Sequence, residues 1–475
     1  MLIGREEESR VLKDCIASAK SEFIAIYGRH RVGKTFLVQE LLGKHLTFDM
    51  TGVIGGSKQE QLFKFAQALR RMTGVEAPSA NTWIEAFTLL EDFLRSRKNK
   101  TKIILFIDEL PCLDTPKAGF IRALDQFWNG WAAHQHHVKL IVCGSATSWM
   151  LKNIIDSHGG LHNRITRELH IKPFTLSEAE DYLKANGFRW NRMAILEMYS
   201  ATGGVPYYLS LLDRRYAVAQ NIDRLFFGFD ALLGREFERL FKSLFKSPDN
   251  YVRIIELLAK SRKGLTREEL KQALGINTGG YLTQLLSNLE NCDFIRSYHT
   301  REKKIKANQL IYQITDAFTQ FHFSFCANRT TDAHYWSSQH NTPRLNTWLG
   351  LSFERVSMTH VDAIKQALGI ARLHTEYYAW RSHDTEPRTQ IDLVIECPKQ
   401  VAYLCEMKFS RGEYVMTAAD DRLLNTRMMN FLTETGFKAS VQVVMVTTQG
   451  LKANAYASNI TNQVTLNDLF ATIKR

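Results

Sequence analysis

Cysteine is scarce in this chain, with seven residues among 475. No two of them form a C-x-x-C pair, and most lie within apolar runs, where a cysteine behaves as a small buried hydrophobic residue. Such scattered usage fits a reduced compartment, and we therefore expect a cytoplasmic protein.

Export and membrane-spanning patterns are missing as well. The N-terminal segment turns acidic at Glu6 and lacks the basic and then apolar layout of a signal peptide. No apolar run approaches the roughly 18 residues of a membrane span. The chain also contains no internal repeat and no low-complexity tract. These absences predict a globular protein that has no membrane partner.

The composition is that of an ordinary globular protein with an excess of positive charge. Hydrophobic residues make up 45% of the chain and charged residues 23%. A length of 475 residues predicts about two to four domains rather than one core. The formal net charge of +12 favours a polyanionic partner, and nucleic acid is the first candidate.

The most informative motif is a phosphate-binding loop near the N-terminus, since residues 28–35 match the pattern G-x-x-x-x-G-K-[ST] completely. The two glycines allow the backbone to curl around phosphate oxygens, so that N–H groups surround an anion at a helix N-terminus. We expect Lys34 to reach the β- and γ-phosphates of ATP and the Thr35 hydroxyl to ligate Mg²⁺. The loop residues predicted to bind nucleotide are Gly28, Arg29, His30, Arg31, Val32, Gly33, Lys34 and Thr35.

The sequence around the loop supports this interpretation. An apolar run of strand length precedes the loop, and apolar residues at helical spacing follow it. Strand-like runs alternate with amphipathic helices up to about residue 174, which predicts an α/β fold with a parallel sheet covered on both faces. The expected strands are residues 23–27, 46–50, 102–107, 138–143 and 169–172.

A second part of the nucleotide site is predicted where the apolar run at residues 102–107 ends. We expect Asp108 to hold Mg²⁺ through water and Glu109 to orient and polarise the attacking water. Two carboxylates at the end of a buried strand are costly unless a cation is nearby. Ser145 follows the next apolar run and is expected to lie between these carboxylates and the γ-phosphate.

The middle of the chain is predominantly helical. Thr175 and Glu178 form a capping-box pattern, which predicts a helix start, and helical periodicity continues to about residue 240. Three predicted helices then precede two strand-like runs that flank a basic tip at residues 300–306. This order of elements resembles a winged helix-turn-helix. Residues 326–347 are polar and irregular, which indicates a linker.

A second cluster of charged residues lies near the C-terminus. Two strand-like runs, residues 390–396 and 401–409, are joined by a short turn. Asp392 lies near the start of the first run, while Glu406 and Lys408 are two positions apart in the second and so share a face. Because charges in such strands need a partner, a metal ion or a cleft, these residues are a candidate site.

The phosphate loop, the two carboxylates and Ser145 resemble the P-loop ATPases of the AAA+ and signal-transducing type. The resemblance covers nearly the whole chain and is closest to a prokaryotic, archaeal-type group whose ATPase domain is followed by a winged helix and a nuclease-like domain. It implies that Pro206 belongs to a small helical lid near the nucleotide. It also implies that Arg164 approaches the γ-phosphate, in the same subunit or a neighbouring one, with Arg167 as a nearby alternative.

The C-terminal residues form the pattern D-x13-E-x-K, which resembles the PD-(D/E)xK nuclease core, with Ile391 at the variable Pro position. The resemblance implies that Asp392 and Glu406 hold Mg²⁺ beside the scissile phosphate. It further implies that Lys408 positions the attacking water or stabilises the developing charge. A glutamate from a preceding helix commonly completes this core, and Glu354 is the candidate.

The expected fold is thus a multidomain α/β protein. Its predicted parts are a P-loop parallel αβα ATPase core at 1–174, a helical lid at 175–240, a winged helix-turn-helix at 241–325, a linker at 326–347 and a restriction-endonuclease-like α/β domain at 348–475.

Two functions fit these expectations. In the first, ATP binding and hydrolysis gate a Mg²⁺-dependent nuclease that acts on nucleic acid, with DNA preferred. In the second, the chain is an ATP-dependent DNA-binding regulator or scaffold whose nuclease-like domain is inactive. A homo-oligomer is compatible with both. A translocating motor fits less well, because the sequence has no aromatic-basic pore loop and no helicase motif set.

Overall fold

The computed structural model describes residues 2–472 except 77, 98–101, 157–158, 246, 262–263, 277–278, 299–309, 328–331, 340–341 and 383. The chain forms two compact units, Met1–Lys172 and Pro173–Arg475. The predicted basic tip at residues 300–306 lies outside the described residues. Within the described part of the chain, no helix is both long and apolar enough to cross a membrane. The finer domain boundaries given above stay predictions.

Five parallel strands form the centre of the first unit, in the order β2-β3-β4-β1-β5. The strands β3 and β4 are buried along their whole length, as expected for a sheet covered on both faces. The predicted parallel α/β core is therefore confirmed. The strands are β1 (Glu22–Tyr27), β2 (Phe48–Thr51), β3 (Ile103–Asp108), β4 (Val138–Gly144) and β5 (Arg167–His170).

Helices cover both faces of this sheet. Phe23 and Ala25 of β1 pack into one apolar cluster, while Ile24 and Ile26 pack into another. This alternation follows from the two-residue period of a strand. The helices of the unit are α1 (Glu6–Ala17), α2 (Lys34–Leu42), α3 (Lys58–Thr73), α4 (Trp83–Ser96), α5 (Phe120–Gly130) and α6 (Thr147–Met150).

The second unit begins with five helices. The predicted capping box is present, because the Thr175 hydroxyl accepts the Glu178 N–H and the Glu178 carboxylate accepts the Thr175 N–H. Pro206 occupies the first turn of its helix, where the missing N–H of proline costs nothing. These helices are α7 (Leu176–Ala185), α8 (Arg192–Thr202), α9 (Pro206–Ser210), α10 (Val218–Phe226) and α11 (Glu236–Leu244).

Three helices and three short strands follow, and we call residues 249–314 the three-helix segment. The strands pair antiparallel in the order β6-β8-β7. A capping box at Thr266 and Glu269 opens the second helix, as predicted. The elements are α12 (Asp249–Lys260), β6 (Leu265–Thr266), α13 (Arg267–Leu274), α14 (Gly279–Asn291), β7 (Ile295–Tyr298) and β8 (Ile311–Ile314).

The segment that was predicted to be an irregular linker contains packed structure. Trp336 is 1% exposed and contacts the rings of Phe321, Phe325 and Trp348 edge-on or at a tilt. A helix of four residues has too little periodicity to be recognised from sequence. The elements here are α15 (Ala317–Phe321), α16 (Tyr335–Ser338) and α17 (Pro343–Thr359).

A mixed five-stranded sheet forms the end of the second unit, in the order β13-β12-β11-β10-β9. The neighbouring strands β9, β10 and β11 pair antiparallel, whereas β11, β12 and β13 pair parallel. The hairpin expected at residues 390–408 is present as the pair β10 and β11. The elements are α18 (Val361–Ala367), β9 (Glu376–Arg381), β10 (Gln390–Cys397), β11 (Val401–Lys408), α19 (Ala418–Thr435), β12 (Ser440–Thr447), β13 (Asn462–Thr465) and α20 (Leu466–Leu469).

Candidate nucleotide and carboxylate sites

The backbone of the phosphate loop depends on its two glycines. Gly28 has φ 144°, and a Cβ at this position would lie 2.2 Å from the carbonyl oxygen of Ile171. Gly33 has φ 93° and is the N-cap of α2. Since both conformations are unfavourable for residues with a Cβ, the loop can adopt this path only with glycine at these positions. The loop therefore ends at the N-terminus of a nine-residue helix, where N–H groups favour an anion.

The Lys34 side chain lies inside the loop. Its Nζ donates hydrogen bonds to the carbonyl oxygens of Gly28 and Arg29, each at 2.8 Å, and to the Ser145 hydroxyl at 2.9 Å. These three bonds use every proton of the ammonium group. Lys34 is only 5% exposed, so these bonds hold a buried charge at the loop.

The loop is connected to β3 through a hydroxyl–carboxylate pair. Thr35 Oγ1 donates a hydrogen bond of 2.7 Å to Asp108 Oδ2. Asp108 is buried, and its other oxygen accepts the Glu109 N–H at 2.9 Å. The hydroxyl and the carboxylate are adjacent hard oxygen donors, the ligand type that Mg²⁺ prefers. Thr35 and Asp108 thus fit a Mg²⁺ ion, which would supply charge neutralisation at the phosphates.

Glu109 and Ser145 meet at the ends of two adjacent strands. The Ser145 hydroxyl donates a hydrogen bond to Glu109 Oε1, and its backbone N–H donates to Oε2 at 3.3 Å. Glu109 has φ 47° and ψ 47°, a left-handed conformation that is uncommon for a residue with a Cβ. Glu109 thus has both an unusual backbone conformation and a carboxylate that Ser145 holds in place.

Three loop residues have distinctive environments. Burial, together with the charges of Lys34 and Arg31, lowers the pKa of His30 to about 4. The imidazole is therefore neutral at physiological pH. Arg31 has φ 71°, a second left-handed backbone next to the glycines. Arg29 is 1% exposed, so its guanidinium is directed into the protein.

Arg5, directly before α1, is a further contact of the loop. Its Nη2 donates to the carbonyl oxygen of Val32 at 3.1 Å and to that of Lys172 at 2.6 Å. The guanidinium therefore joins the phosphate loop to the last residue of the first unit. The signal in the sequence was an arginine just ahead of an acidic helix start, which gives no hint of these partners.

The candidate arginines lie elsewhere in the first unit. Strand β5 pairs with β1 so that Arg167 lies opposite Ile24, while His170 lies opposite Tyr27, where the loop begins. Arg167 is therefore about 10 Å from the loop end of β1 along the strand. Arg164 is exposed in the turn before β5. Among the described residues, no hydrogen bond or ion pair joins either arginine side chain to the phosphate loop.

The C-terminal hairpin brings two of the predicted carboxylates together. Leu393 and Cys405 form the last pair of the β10–β11 ladder, so Asp392 and Glu406 each lie one residue beyond that pair. Burial raises the pKa of Asp392, and the Glu406 charge raises it further. Gln390 Nε2 donates a hydrogen bond of 2.7 Å to Asp392 Oδ1.

Glu406 is held by two cations. Lys408 Nζ lies 3.0 Å from Oε1, and Arg427 of α19 donates to Oε2. Lys408 also lies 4.0 Å from Asp420. Sequence reasoning found Lys408 through its spacing but missed Arg427, because Arg427 lies on a helix 21 positions further along the chain.

Glu354 belongs to the same cluster. Burial raises the pKa of this α17 carboxyl to about 7, the charges of Asp392 and Glu406 raise it too, and Arg355 and Arg296 oppose the shift. Arg296 comes from β7 of the three-helix segment. Glu354 therefore lies within electrostatic range of both hairpin carboxylates.

The fit of this cluster to a metal ion is incomplete. Asp392 and Glu406 are oxygen donors of the right type, but both Glu406 oxygens accept from cationic side chains. Within the described ranges, no group of three or more His, Cys, Asp or Glu side chains is placed to hold a metal ion. A bound metal would have to displace Arg427 or Lys408 from Glu406.

The parallel sheet, the phosphate loop and the paired carboxylates at the end of β3 define a P-loop ATPase domain. Residues 2–212 match the family described as an ATPase domain predominantly from Archaea. Residues 2–212 are thus similar to an archaeal-type ATPase domain, and this similarity supports nucleotide binding.

Three similar proteins extend the comparison. An uncharacterized protein of Methanocaldococcus jannaschii is 27% identical over 360 residues, which cover 75% of this chain and 76% of that protein. A Walker-type ATPase of Pyrococcus abyssi is similar in structure over 68% of this chain and 96% of its own, with TM-score 0.48 and 19% identity. The ORC2 protein of Aeropyrum pernix, in its ADPNP–ADP complexes, is similar over 76% and 96% of the two chains, with TM-score 0.41 and 12% identity.

Proposed function

We propose that this protein hydrolyses ATP and uses the nucleotide state to gate a Mg²⁺-dependent nuclease site in the C-terminal sheet. The observation that carries the nuclease part is that Asp392 lies within electrostatic range of Glu406, with Lys408 Nζ 3.0 Å from Glu406. Carboxylates and an ammonium group on one strand face are the set that phosphodiester hydrolysis requires.

In the ATPase site, the loop N–H groups and Lys34 bind the phosphates of ATP. Lys34 exchanges its bonds to the Gly28 and Arg29 carbonyl oxygens for phosphate oxygens, because an anion is the better partner for an ammonium group. Glu109 accepts a hydrogen bond from the attacking water, and Ser145 keeps the carboxylate directed toward the γ-phosphate. Pro206 and the surrounding helices form the lid that the resemblance implied.

The arginine that stabilises the transition state of ATP hydrolysis acts on the nucleotide of a neighbouring subunit. Arg167 is level with Ile24, at the end of β1 remote from the loop, and Arg164 is exposed in the preceding turn. An exposed arginine at that position can reach the γ-phosphate of a neighbouring copy, where it stabilises charge in the transition state. The active form is therefore a homo-oligomer.

In the nuclease site, Asp392, Glu406 and Glu354 would hold Mg²⁺. The metal would supply a water of lowered pKa beside the scissile phosphate. Lys408 donates hydrogen bonds to that water or to the phosphate oxygens. The three-helix segment serves as a winged helix that binds DNA, in keeping with the net charge of +12.

A cleavage assay tests the nuclease proposal. Wild-type protein is incubated with DNA and RNA substrates, single- and double-stranded, with and without ATP and Mg²⁺. We expect metal-dependent cleavage that is lost in Asp392→Asn and Lys408→Ala and that remains in Lys399→Ala, a lysine in the exposed turn of the same hairpin. Equal cleavage by wild type and Lys408→Ala would contradict the nuclease proposal.

The second function, an ATP-dependent DNA-binding regulator with a silent nuclease-like domain, is favoured by one observation. Both Glu406 oxygens form ion pairs with cationic side chains, Lys408 and Arg427. Isothermal titration with Mn²⁺ distinguishes the two functions. The regulator predicts no heat from the C-terminal site and no cleavage with any divalent ion, while ATP turnover persists.

A further inference from the structure

A narrow cleft lies between the three-helix segment and α17 in the second unit. Arg296 and Gln313 line it from strands β7 and β8, and Glu354 and Arg355 line it from α17. Two arginines from distant parts of the sequence therefore share one cleft with a predicted metal ligand.

Each guanidinium group has one buried nitrogen that has no hydrogen-bond partner among the described residues. Arg296 Nη2 donates to Gln313 Oε1 at 2.9 Å, but the buried Arg296 Nε has no hydrogen-bond partner. The buried Arg355 Nη1 also has none. Among the described residues, no carboxylate oxygen lies within 4.0 Å of either guanidinium as an ion pair. A buried charged donor without a partner is costly, so these nitrogens lack an acceptor that something else must supply.

The charges around the cleft favour an anion as that acceptor. Arg296 and Arg355 are close enough to act electrostatically on one another, and two like charges in one cleft repel. Arg296 is also within electrostatic range of Glu354 and Asp392. A ligand that accepts hydrogen bonds from two guanidinium groups next to a carboxylate cluster has the chemistry of a phosphodiester, which planar guanidinium groups bind through paired N–H donors.

The three-helix segment is held against the C-terminal sheet at this place. Tyr298 and Ile311 of strands β7 and β8 form an apolar cluster with Ala379 of β9. Tyr298 is also within electrostatic range of Arg381 and Asp392. The position of Arg296 beside the carboxylates is thus fixed by packing of its own strand.

We propose that Arg296 and Arg355 together bind a backbone phosphate of nucleic acid beside Glu354 and Asp392. The three-helix segment then supplies a substrate-binding residue to the C-terminal site. This proposal rests on the proposed nuclease function, in which the substrate phosphate lies next to the same carboxylates.

Binding of labelled oligonucleotides in metal-free buffer tests the proposal, since no cleavage occurs there. We expect Arg296→Ala and Arg355→Ala each to weaken binding about tenfold. We also expect each to reduce the slope of log affinity against log salt by about one. Arg296→Lys keeps the charge and should restore the salt slope and most of the affinity. Arg372→Ala, an exposed arginine of the same unit, is the control.

The variants are checked by their unfolding midpoints, and Arg296→Lys decides the matter if Arg296→Ala does not fold. Unchanged affinity and salt slope in Arg296→Ala would overturn the proposal, as would tighter binding, which would indicate that the arginine blocks the cleft. Parallel arms with duplex DNA, single-stranded DNA and RNA identify the source of the phosphate.

The outcomes also separate this proposal from the nuclease proposal. If the wild type cleaves in Mg²⁺ but binding does not depend on the arginines, the nuclease proposal holds and the phosphate-site proposal is wrong. If binding depends on the arginines but no metal ion supports cleavage, the nuclease proposal is wrong. The arginines then form a site for the nucleic-acid backbone in a regulator. Absence of any oligonucleotide binding by wild type overturns both.

Discussion

Lys34 and Ser145 are joined by a hydrogen bond of 2.9 Å although they lie 111 positions apart in the chain. The same serine hydroxyl donates to Glu109, so one group connects the Lys34 ammonium with the Glu109 carboxylate. Ser145 therefore fixes the relative positions of the two side chains that, in the proposed function, bind the phosphates and the attacking water.

The first prediction follows from this pair. Ser145→Ala should lower the rate of ATP hydrolysis about tenfold, because it removes hydrogen bonds worth about 1.4 kcal/mol in the positioning of Glu109. Nucleotide affinity should change much less, since the loop backbone is untouched. Ser148→Ala is the matched control, because the Ser148 hydroxyl has no hydrogen-bond partner within the described structure. Steady-state turnover and nucleotide titration measure both quantities, and equal turnover in the two variants would contradict the role given to Ser145.

The second prediction concerns the loop backbone. Gly28→Ala should lower the free energy of unfolding by about 1–3 kcal/mol and abolish nucleotide binding, because its Cβ would lie 2.2 Å from the Ile171 carbonyl oxygen. Gly130→Ala provides the comparison, since a Cβ there meets no atom within 4 Å. Denaturant unfolding and binding of a fluorescent nucleotide report the two effects. A stable, nucleotide-binding Gly28→Ala protein would show that the loop path is wrong.

The third prediction is a pH dependence caused by His360. Its Nε2 accepts the Leu176 N–H at 2.9 Å and its Nδ1 bonds the Val356 carbonyl oxygen at 2.7 Å, so the ring is neutral. Burial lowers its pKa to about 4, against an opposing effect of the Val356 hydrogen bond. Because the unfolded state binds the proton more readily, stability is complete above about pH 6.5 and falls as the pH drops toward 4, by on the order of 2–3 kcal/mol.

His360→Asn should flatten this part of the stability curve, whereas His374→Asn, a substitution at an exposed histidine, should leave it unchanged. Denaturant unfolding of the three proteins between pH 4 and pH 8 provides the measurement. A wild-type curve that is as flat as that of His360→Asn would refute the assignment.

The fourth prediction concerns the cation that holds Glu406. Arg427→Met should increase the affinity of the C-terminal site for Mn²⁺, because it frees Glu406 Oε2 to ligate a metal ion. It should also destabilise the metal-free protein, since a buried carboxylate loses one of its two partners. Arg422→Met, an exposed position on the same helix, is the control. Calorimetric titration that finds equal or weaker Mn²⁺ binding would show that Arg427 does not compete with a metal.

The parts of the structure that could be predicted from sequence are those with a local cause. The five strands of the first unit lie within two residues of their expected bounds. The three inner strands β1, β3 and β4 are apolar runs that both faces bury, while the edge strands β2 and β5 are only partly buried. The capping boxes at Thr175 and Thr266 were predicted for the same reason, since two side chains three positions apart satisfy the helix start.

Long-range contacts account for what sequence reasoning missed. Arg5 bonds two carbonyl oxygens that are 27 and 167 positions away, and no local pattern specifies such partners. Arg427 of α19 bonds Glu406, and Arg296 of β7 lies within electrostatic range of Asp392. The spacing of Asp392, Glu406 and Lys408 identified these three residues, but it contains no information about the two arginines.

The left-handed backbone of Glu109 costs stability, whereas its carboxylate is the group that the proposed function uses in ATP hydrolysis. Glycine or asparagine would adopt φ 47° at lower cost, by about 1 kcal/mol, but neither carries a carboxylate. Selection for thermal stability alone would therefore replace Glu109, and selection for turnover would retain it. A library screened first for heat resistance and then for ATP hydrolysis should diverge at this residue, which makes Glu109 a marker of the selection that a homologous chain has experienced.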